Sequence, residues 1–239
     1  MQIRNLSFFL KILHISLKSM VKSIILEFGM NLLTKKIYDC LIPVGGRSSR
    51  MGGWKPALNW FSGTVIEKVV SEAAEAGCRV LVLGGYNFAR LEELFKGNPG
   101  LANTKTAGEG SEMPILLKAA DWELGMDATI RSGLDELRGD RFFIVPGDMP
   151  LIRSDDYIRL ASFENAPIVR PVFEGKPGHP VLLNRSMAEV IKSAAAGTPI
   201  RELMDGHRTL LAPWEHGGVV WDLDTAGDYD EISLDDASR

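Results

Sequence analysis

From residue 37 onward the sequence predicts a three-layer α/β fold, a mostly parallel sheet with helices on its faces. Short apolar runs rich in β-branched and aromatic residues alternate with longer stretches of helical periodicity. The first two helical stretches each run into a glycine, the usual stop signal. No repeat, low-complexity tract or linker divides the 239 residues, and 45% hydrophobic content is enough to fill one large core.

Taken in order, "IYDCLIPV" is a buried strand that runs into a glycine loop. "TVIEKVVSEAAEAG" is a helix with Thr64 as N-cap and Gly77 as stop; "RVLVLGG" is a strand and "NFARLEELFKG" a second glycine-ended helix. Residues 101–125 have poor periodicity and predict a loop with short strands. "DATIRSGLDELRG" is a helix and "RFFIVPGDMP" a strand running into a turn. "IRSDDYIRLASF" is a helix with Ser154 as its cap candidate. "APIVRPVFEGKPGHPVLL" predicts two strands around a Gly/Pro-rich bend, a small β insertion. "SMAEVIKSAAAG" and "TPIRELMDG" are helical, the latter with Thr198 at its start and Pro199 at its first helical position. "GGVVWDLDT" reads as a last strand.

The charge is uneven. Net charge is −4 overall, with +5 before residue 37 and −9 after it. A pI near 5.7 argues against a basic nucleic-acid-binding face. Two cysteines, Cys40 and Cys78, both in apolar surroundings, make neither a disulfide framework nor a zinc site, and fit a reducing cytoplasm. Residues 1–36 form a basic amphipathic extension in which lysines interrupt every apolar run, so none reaches the ~18 residues of a spanning helix. One reading lays it on a membrane or partner; the favoured one makes it an extension upstream of a start at Met20 or Met30. Residues 37–239 form the domain.

In open α/β sheets ligands bind beyond the carboxyl ends of the strands. Three chemically loaded turns fall there: "GGRSSRMGGWK" at 45–55, "PGDMP" after "RFFIV", and "WDLDTAGD". The first is neither a Walker A loop, a dinucleotide signature nor a nucleophile elbow, because the residues after its glycines do not match. Its glycines still let the backbone approach phosphate oxygens, and Arg50 and Lys55 supply positive charge. With carboxylates on the other two turns, the set suits a phosphorylated ligand with a bridging metal. Bland alternatives stand beside each part. The loop is otherwise a solvated turn, Asp148 a cap for the helix near Ser154, Asp222 and Asp224 one face of an edge strand, and His179 a backbone-bonded residue of a bend. His14, His207 and His216 belong to no ligand-spaced cluster.

"VGGRSSRMGGWKPAL" resembles the N-terminal signature of the MobA-like nucleotidyltransferases, in particular the molybdenum cofactor cytidylyltransferase branch, with two residues between Gly52 and Lys55. The likeness continues through "LGGYN", "DWELGMDATIRSGL", "PGDMPLI", "GHPVLL" and "WDLDTAGDY", covering residues 37 to about 230. It departs from the family at "PVGG", at Ala119, at Thr129 and in the proline-less "DTAGD". The resemblance implies the Rossmann-like nucleotidyltransferase fold of the nucleotide-diphospho-sugar transferase type. It implies that Gly45, Gly46 and Ser48 meet the phosphates, and that Arg50 and Lys55 neutralise a triphosphate. Asp148 would hold Mg²⁺, with Asp222 and Asp224 completing the shell or meeting the second substrate. Gly84, Gly125 and Thr129 would border base and ribose; Gly178 and His179 would face the acceptor. The implied reaction moves CMP from CTP to the terminal phosphate of a pterin acceptor, molybdopterin or its metal-loaded form. Alternatives are GTP as donor, a sugar phosphate as acceptor, or an accessory protein that delivers cofactor to a molybdenum hydroxylase apoenzyme.

Overall fold

The computed structural model describes residues 38–47, 53–97, 113–225 and 227. The N-terminal extension and two of the expected site residues, Ser48 and Arg50, lie outside the described residues. Among these residues there are ten strands and six α-helices. The strands are β1 (Tyr38–Val44), β2 (Asn59–Trp60), β3 (Gly63–Thr64), β4 (Arg79–Gly84), β5 (Ile115–Lys118), β6 (Arg141–Ile144), β7 (Ile168–Phe173), β8 (Lys176–Pro177), β9 (Val181–Asn184) and β10 (Thr209–Pro213). The helices are α1 (Val65–Glu75), α2 (Phe88–Lys96), α3 (Met126–Arg131), α4 (Ser154–Ala161), α5 (Arg185–Ser193) and α6 (Ile200–Asp205).

The main sheet has the order β10-β7-β9-β6-β1-β4-β5, with β8 folded back on β7. β1 pairs in parallel with both β4 and β6, β4 with β5, and β10 with β7; β9 runs antiparallel to its two neighbours. The expected small β element is the β7–β8 arm, still hydrogen-bonded to the main sheet. β1 is buried along its whole length, and its residues alternate between two cores. Cys40, Ile42 and Val44 pack with Val69 and Ala73 of α1, Leu91 of α2 and Tyr157 of α4. On the other face, Leu41 packs with Ile130 of α3, Met187 of α5 and Ile200 of α6. Those two cores make the three layers.

Local chemistry sets the element ends. Thr64 and Glu67 form a reciprocal capping box at the start of α1. At its end Gly77, at φ 84°, lets Cys78 and Gly77 donate back to the Ala73 and Ala74 carbonyls. At the amino end of the sheet the buried Asp39 carboxylate accepts from Arg79 Nε at 2.7 Å and from the Arg138 and Gly139 backbone N–H groups at 2.6 and 2.7 Å. This pins the approach to β6.

Four expectations are corrected. "GGVVWDLDT" is not a strand; Gly217–Val219 is a 3₁₀ turn, closed by Val220 N–H on the Gly217 carbonyl, and irregular chain follows. The last strand is β10, an edge strand of which Ala212 alone is buried, so its apolar pattern carried little signal. Ser154 does not cap α4: it is the first helical residue, its N–H donates to Glu72 Oε2 at 2.6 Å, and Asp156 accepts from Arg153 N–H. Pro199 is the N-cap of α6 and not its first residue, while the helix expected after Asp127 is split by a 3₁₀ turn at Leu134–Glu136.

Candidate active site

The carboxyl ends of β1 and β6 lie side by side, and a cleft of about 270 Å³ opens above them. Its walls include Gly45 and Gly46, Lys55, Thr129, Asp148 and Asp224. Two glycines bring the backbones together. A Cβ on Gly147 would stand 2.2 Å from Val44 Cγ1, and one on Gly45 would stand 2.6 Å from Thr129 Oγ1. Thr129 is buried and its hydroxyl donates back to the Gly125 carbonyl at 3.1 Å within the first turn of α3, which fixes the side chain that faces Gly45.

Lys55 opens a 3₁₀ turn whose next residue, Pro56, is buried, so the lysine stem leaves the backbone at a fixed place. Its ammonium donates to Asp148 Oδ2 at 3.0 Å and to Asp224 Oδ1 at 2.8 Å. Asp148 stands on the turn after β6, so it is no cap for α4. Asp222 and Asp224 come from the irregular chain after Val219. They flank Leu223, which is fully buried against Trp60 and Val65. The Leu223 N–H donates to the Asp148 carbonyl at 3.0 Å. Oxygens of the three carboxylates thus lie within 4.8 Å of one another.

The electrostatics follow from that crowding. Loss of hydration, together with the charges of Asp148 and Asp224, pushes the Asp222 carboxyl above its usual range. Burial lowers the Lys55 pKa, but hydrogen bonds and charge from Asp224 and Asp148 outweigh it and leave the ammonium above an ordinary lysine. Three crowded, hard oxygen donors suit a small divalent cation such as Mg²⁺ or Mn²⁺.

Comparison with known proteins shows the family. Residues 40–212 match the MobA-like NTP transferase domain. The chain belongs to the MobA-like NTP transferase family. It is 25% identical over 193 residues to the molybdenum cofactor cytidylyltransferase of Escherichia coli, covering 80% of this chain and 93% of that one. Its fold is similar to a nucleotidyl transferase from Methanothermobacter thermautotroptrophicus, with a TM-score of 0.68, 18% identity, and 83% and 97% of the two chains covered. A Mycobacterium tuberculosis protein complexed with manganese gives a TM-score of 0.64 at 14% identity, covering 83% and 98%. The chain shares its α/β fold with both structures.

In this MobA-like transferase the remaining sequence-predicted residues are placed as follows. Gly125 lines the cleft, whereas Gly84 faces α2: its Cβ would meet Phe88 and Leu91 at 2.6 and 2.7 Å. Gly178 and His179 hold the turn that leads to the acidic residues. A Cβ on Gly178 would stand 2.0 Å from the Val219 carbonyl oxygen, which accepts from His179 N–H at 2.7 Å. The His179 ring meets the Ile144 carbonyl through Nδ1 at 3.2 Å, and burial pushes its pKa down to about 4. The imidazole is therefore neutral at pH 7.

An aromatic rim was not foreseen from the sequence. Trp122 lines the cleft, and Tyr86 lies 5.9 Å from it between ring centroids. The Arg47 guanidinium sits 5.4 Å over Trp122 and 5.8 Å over Tyr86, and pairs with Glu123 at 3.0 Å. Trp122 and Tyr86 stand in the motifs "DWELGM" and "LGGYN", but neither residue type marks this chemistry alone. Gly85 is the nearer signal, since a Cβ there would stand 2.3 Å from Trp122.

Proposed function

We propose that the chain transfers a nucleoside monophosphate, CMP from CTP in the favoured form, to the terminal phosphate of a molybdopterin-type acceptor, releasing pyrophosphate. One observation carries this reading: a lysine ammonium set between the Asp148 and Asp224 carboxylates, in the same cleft as a glycine loop. The 25% identity to a cytidylyltransferase over 93% of its length supports the donor and acceptor classes.

The chemistry suits the residues. An acceptor phosphate oxygen attacks the α-phosphorus, a P–O bond forms, the bond to the β-phosphate oxygen breaks, and pyrophosphate leaves. A phosphate monoester with a second pKa of about 6 is largely ionised at pH 7, so the attack needs no strong general base. Gly45 and Gly46 admit the phosphates to the backbone, and Lys55 faces the charge that develops as pyrophosphate departs. Ser48 and Arg50, on the same loop, add contacts to the triphosphate in this proposal. Asp148, Asp222 and Asp224 would hold a divalent ion, which when bound neutralises triphosphate charge.

The test is pyrophosphate release with Mg²⁺ and a molybdopterin acceptor, with CTP, GTP, ATP or UTP in turn. CTP should be consumed fastest and only with acceptor present. Preference for another triphosphate would overturn the base assignment, and no consumption of any would overturn the activity.

A further inference from the structure

The Lys55 ammonium lies 3.0 Å from Asp148 Oδ2 and 2.8 Å from Asp224 Oδ1. Those oxygens belong to the carboxylates that, with Asp222, make the one acidic cluster among the described residues able to hold a metal ion. A Mg²⁺-sized ion needs oxygens at about 2.1 Å in a nearly ideal octahedron. Placed on either oxygen, it would therefore stand no farther than about 5 Å from the ammonium, in a partly buried setting where screening is weak. Lysine and metal compete for the same charge.

The cleft offers the lysine another partner. Gly45 and Gly46 line the same cavity as Lys55, so a triphosphate on that loop brings anionic oxygens within the reach of a four-carbon stem. We propose that Lys55 is an exchangeable counter-ion. It neutralises Asp148 and Asp224 until a nucleoside triphosphate draws the ammonium away, and those two oxygens then pass to the divalent ion. Nucleotide and metal enter as a coupled pair, and free metal is held off. This inference rests on the nucleotidyl-transfer reading of the cleft. Coupling of this kind is reciprocal, so metal must raise nucleotide affinity by the same factor that nucleotide raises metal affinity.

The experiment measures binding of Mn²⁺ alone, by isothermal titration calorimetry and by the electron paramagnetic resonance signal of free Mn²⁺, to the wild-type chain and to Lys55→Met, Lys55→Gln and Lys55→Arg. Removing the charge should tighten binding of free Mn²⁺ at least about tenfold in the Met and Gln variants, while the Arg variant stays near wild type. Two neutral replacements guard against one that does not fold. A second arm titrates CTP into wild type with and without Mn²⁺. Wild type that binds CTP and Mn²⁺ while neutral variants bind free Mn²⁺ no tighter overturns the exchange and leaves the transferase reading standing. A folded wild type that binds neither overturns both.

Discussion

Leu223 donates its backbone N–H to the carbonyl of Asp148 at 3.0 Å, and its side chain is fully buried against Trp60 and Val65. This relationship ties the last acidic segment to the turn after β6. An apolar residue thereby sets the spacing of two carboxylates that lie 74 and 76 residues beyond Asp148 in the chain.

Leu223→Ala should therefore act on stability and on the site together. Losing a fully buried leucine costs about 2–5 kcal/mol, set by how far the cavity collapses. Denaturant unfolding should show that loss, and Mn²⁺ affinity should fall with it. A variant with unchanged metal affinity would show that Asp222 and Asp224 need no such anchor.

Asp148→Asn removes one charge and little volume. Nucleotidyl transfer should fall by about 10²–10³-fold, the range for losing one preorganised electrostatic group, with the far-ultraviolet circular dichroism unchanged. Retention of most of the activity would remove Asp148 from the machinery.

His179 makes the stability depend on pH. Burial lowers its pKa from 6.5 to about 4, with the Ile144 hydrogen bond opposing and the Arg170 charge adding to the shift. Between those values the unfolded chain binds a proton that the folded chain does not. Stability is therefore full above pH 6.5 and is lost as pH falls towards 4, by at most about 3 kcal/mol because the residue keeps some contact with water. Urea midpoints at about pH 7.5 and about pH 4.5 should differ less for His179→Asn than for the wild type.

Arg79 sits at the opposite end of the sheet from the cleft. Arg79→Met leaves the buried Asp39 carboxylate with two backbone donors and, among the described residues, no ion-pair partner, at a cost of about 3–5 kcal/mol. Thermal unfolding should show it, while Mn²⁺ affinity at a temperature where the variant is folded should match wild type.

The core of the fold was legible because β1, β4 and β6 carry short apolar runs and α1 is bounded by its cap, Thr64, and its stop, Gly77. The far edge was less so. β10 buries Ala212 alone, and "GGVVW" has the composition of a strand although a Cβ on Gly218 would stand 2.8 Å from the Leu151 carbonyl oxygen, a tertiary demand. For the site, the glycine loop, Lys55 and Asp148 were readable from strand-end position and charge. Asp222 and Asp224 were read as a turn at the end of a strand that does not form, whereas Leu223 and the Asp148 carbonyl bring them in. Gly84 and Gly178 carried a motif but have packing reasons of their own. Trp122, Tyr86 and Arg47 come from three segments, and their stacking exists only once β1, β4 and the chain before α3 are assembled.

The most direct measurement follows phosphorus. CTP labelled at the α-phosphate, and separately at the γ-phosphate, is incubated with the protein, Mg²⁺ and a molybdopterin acceptor, and the products are separated. The account predicts that α-label appears in the acceptor as a pyrophosphate-linked dinucleotide while γ-label leaves wholly as pyrophosphate. γ-Label in the acceptor, or α-label remaining in CTP while the acceptor is unchanged, would contradict it.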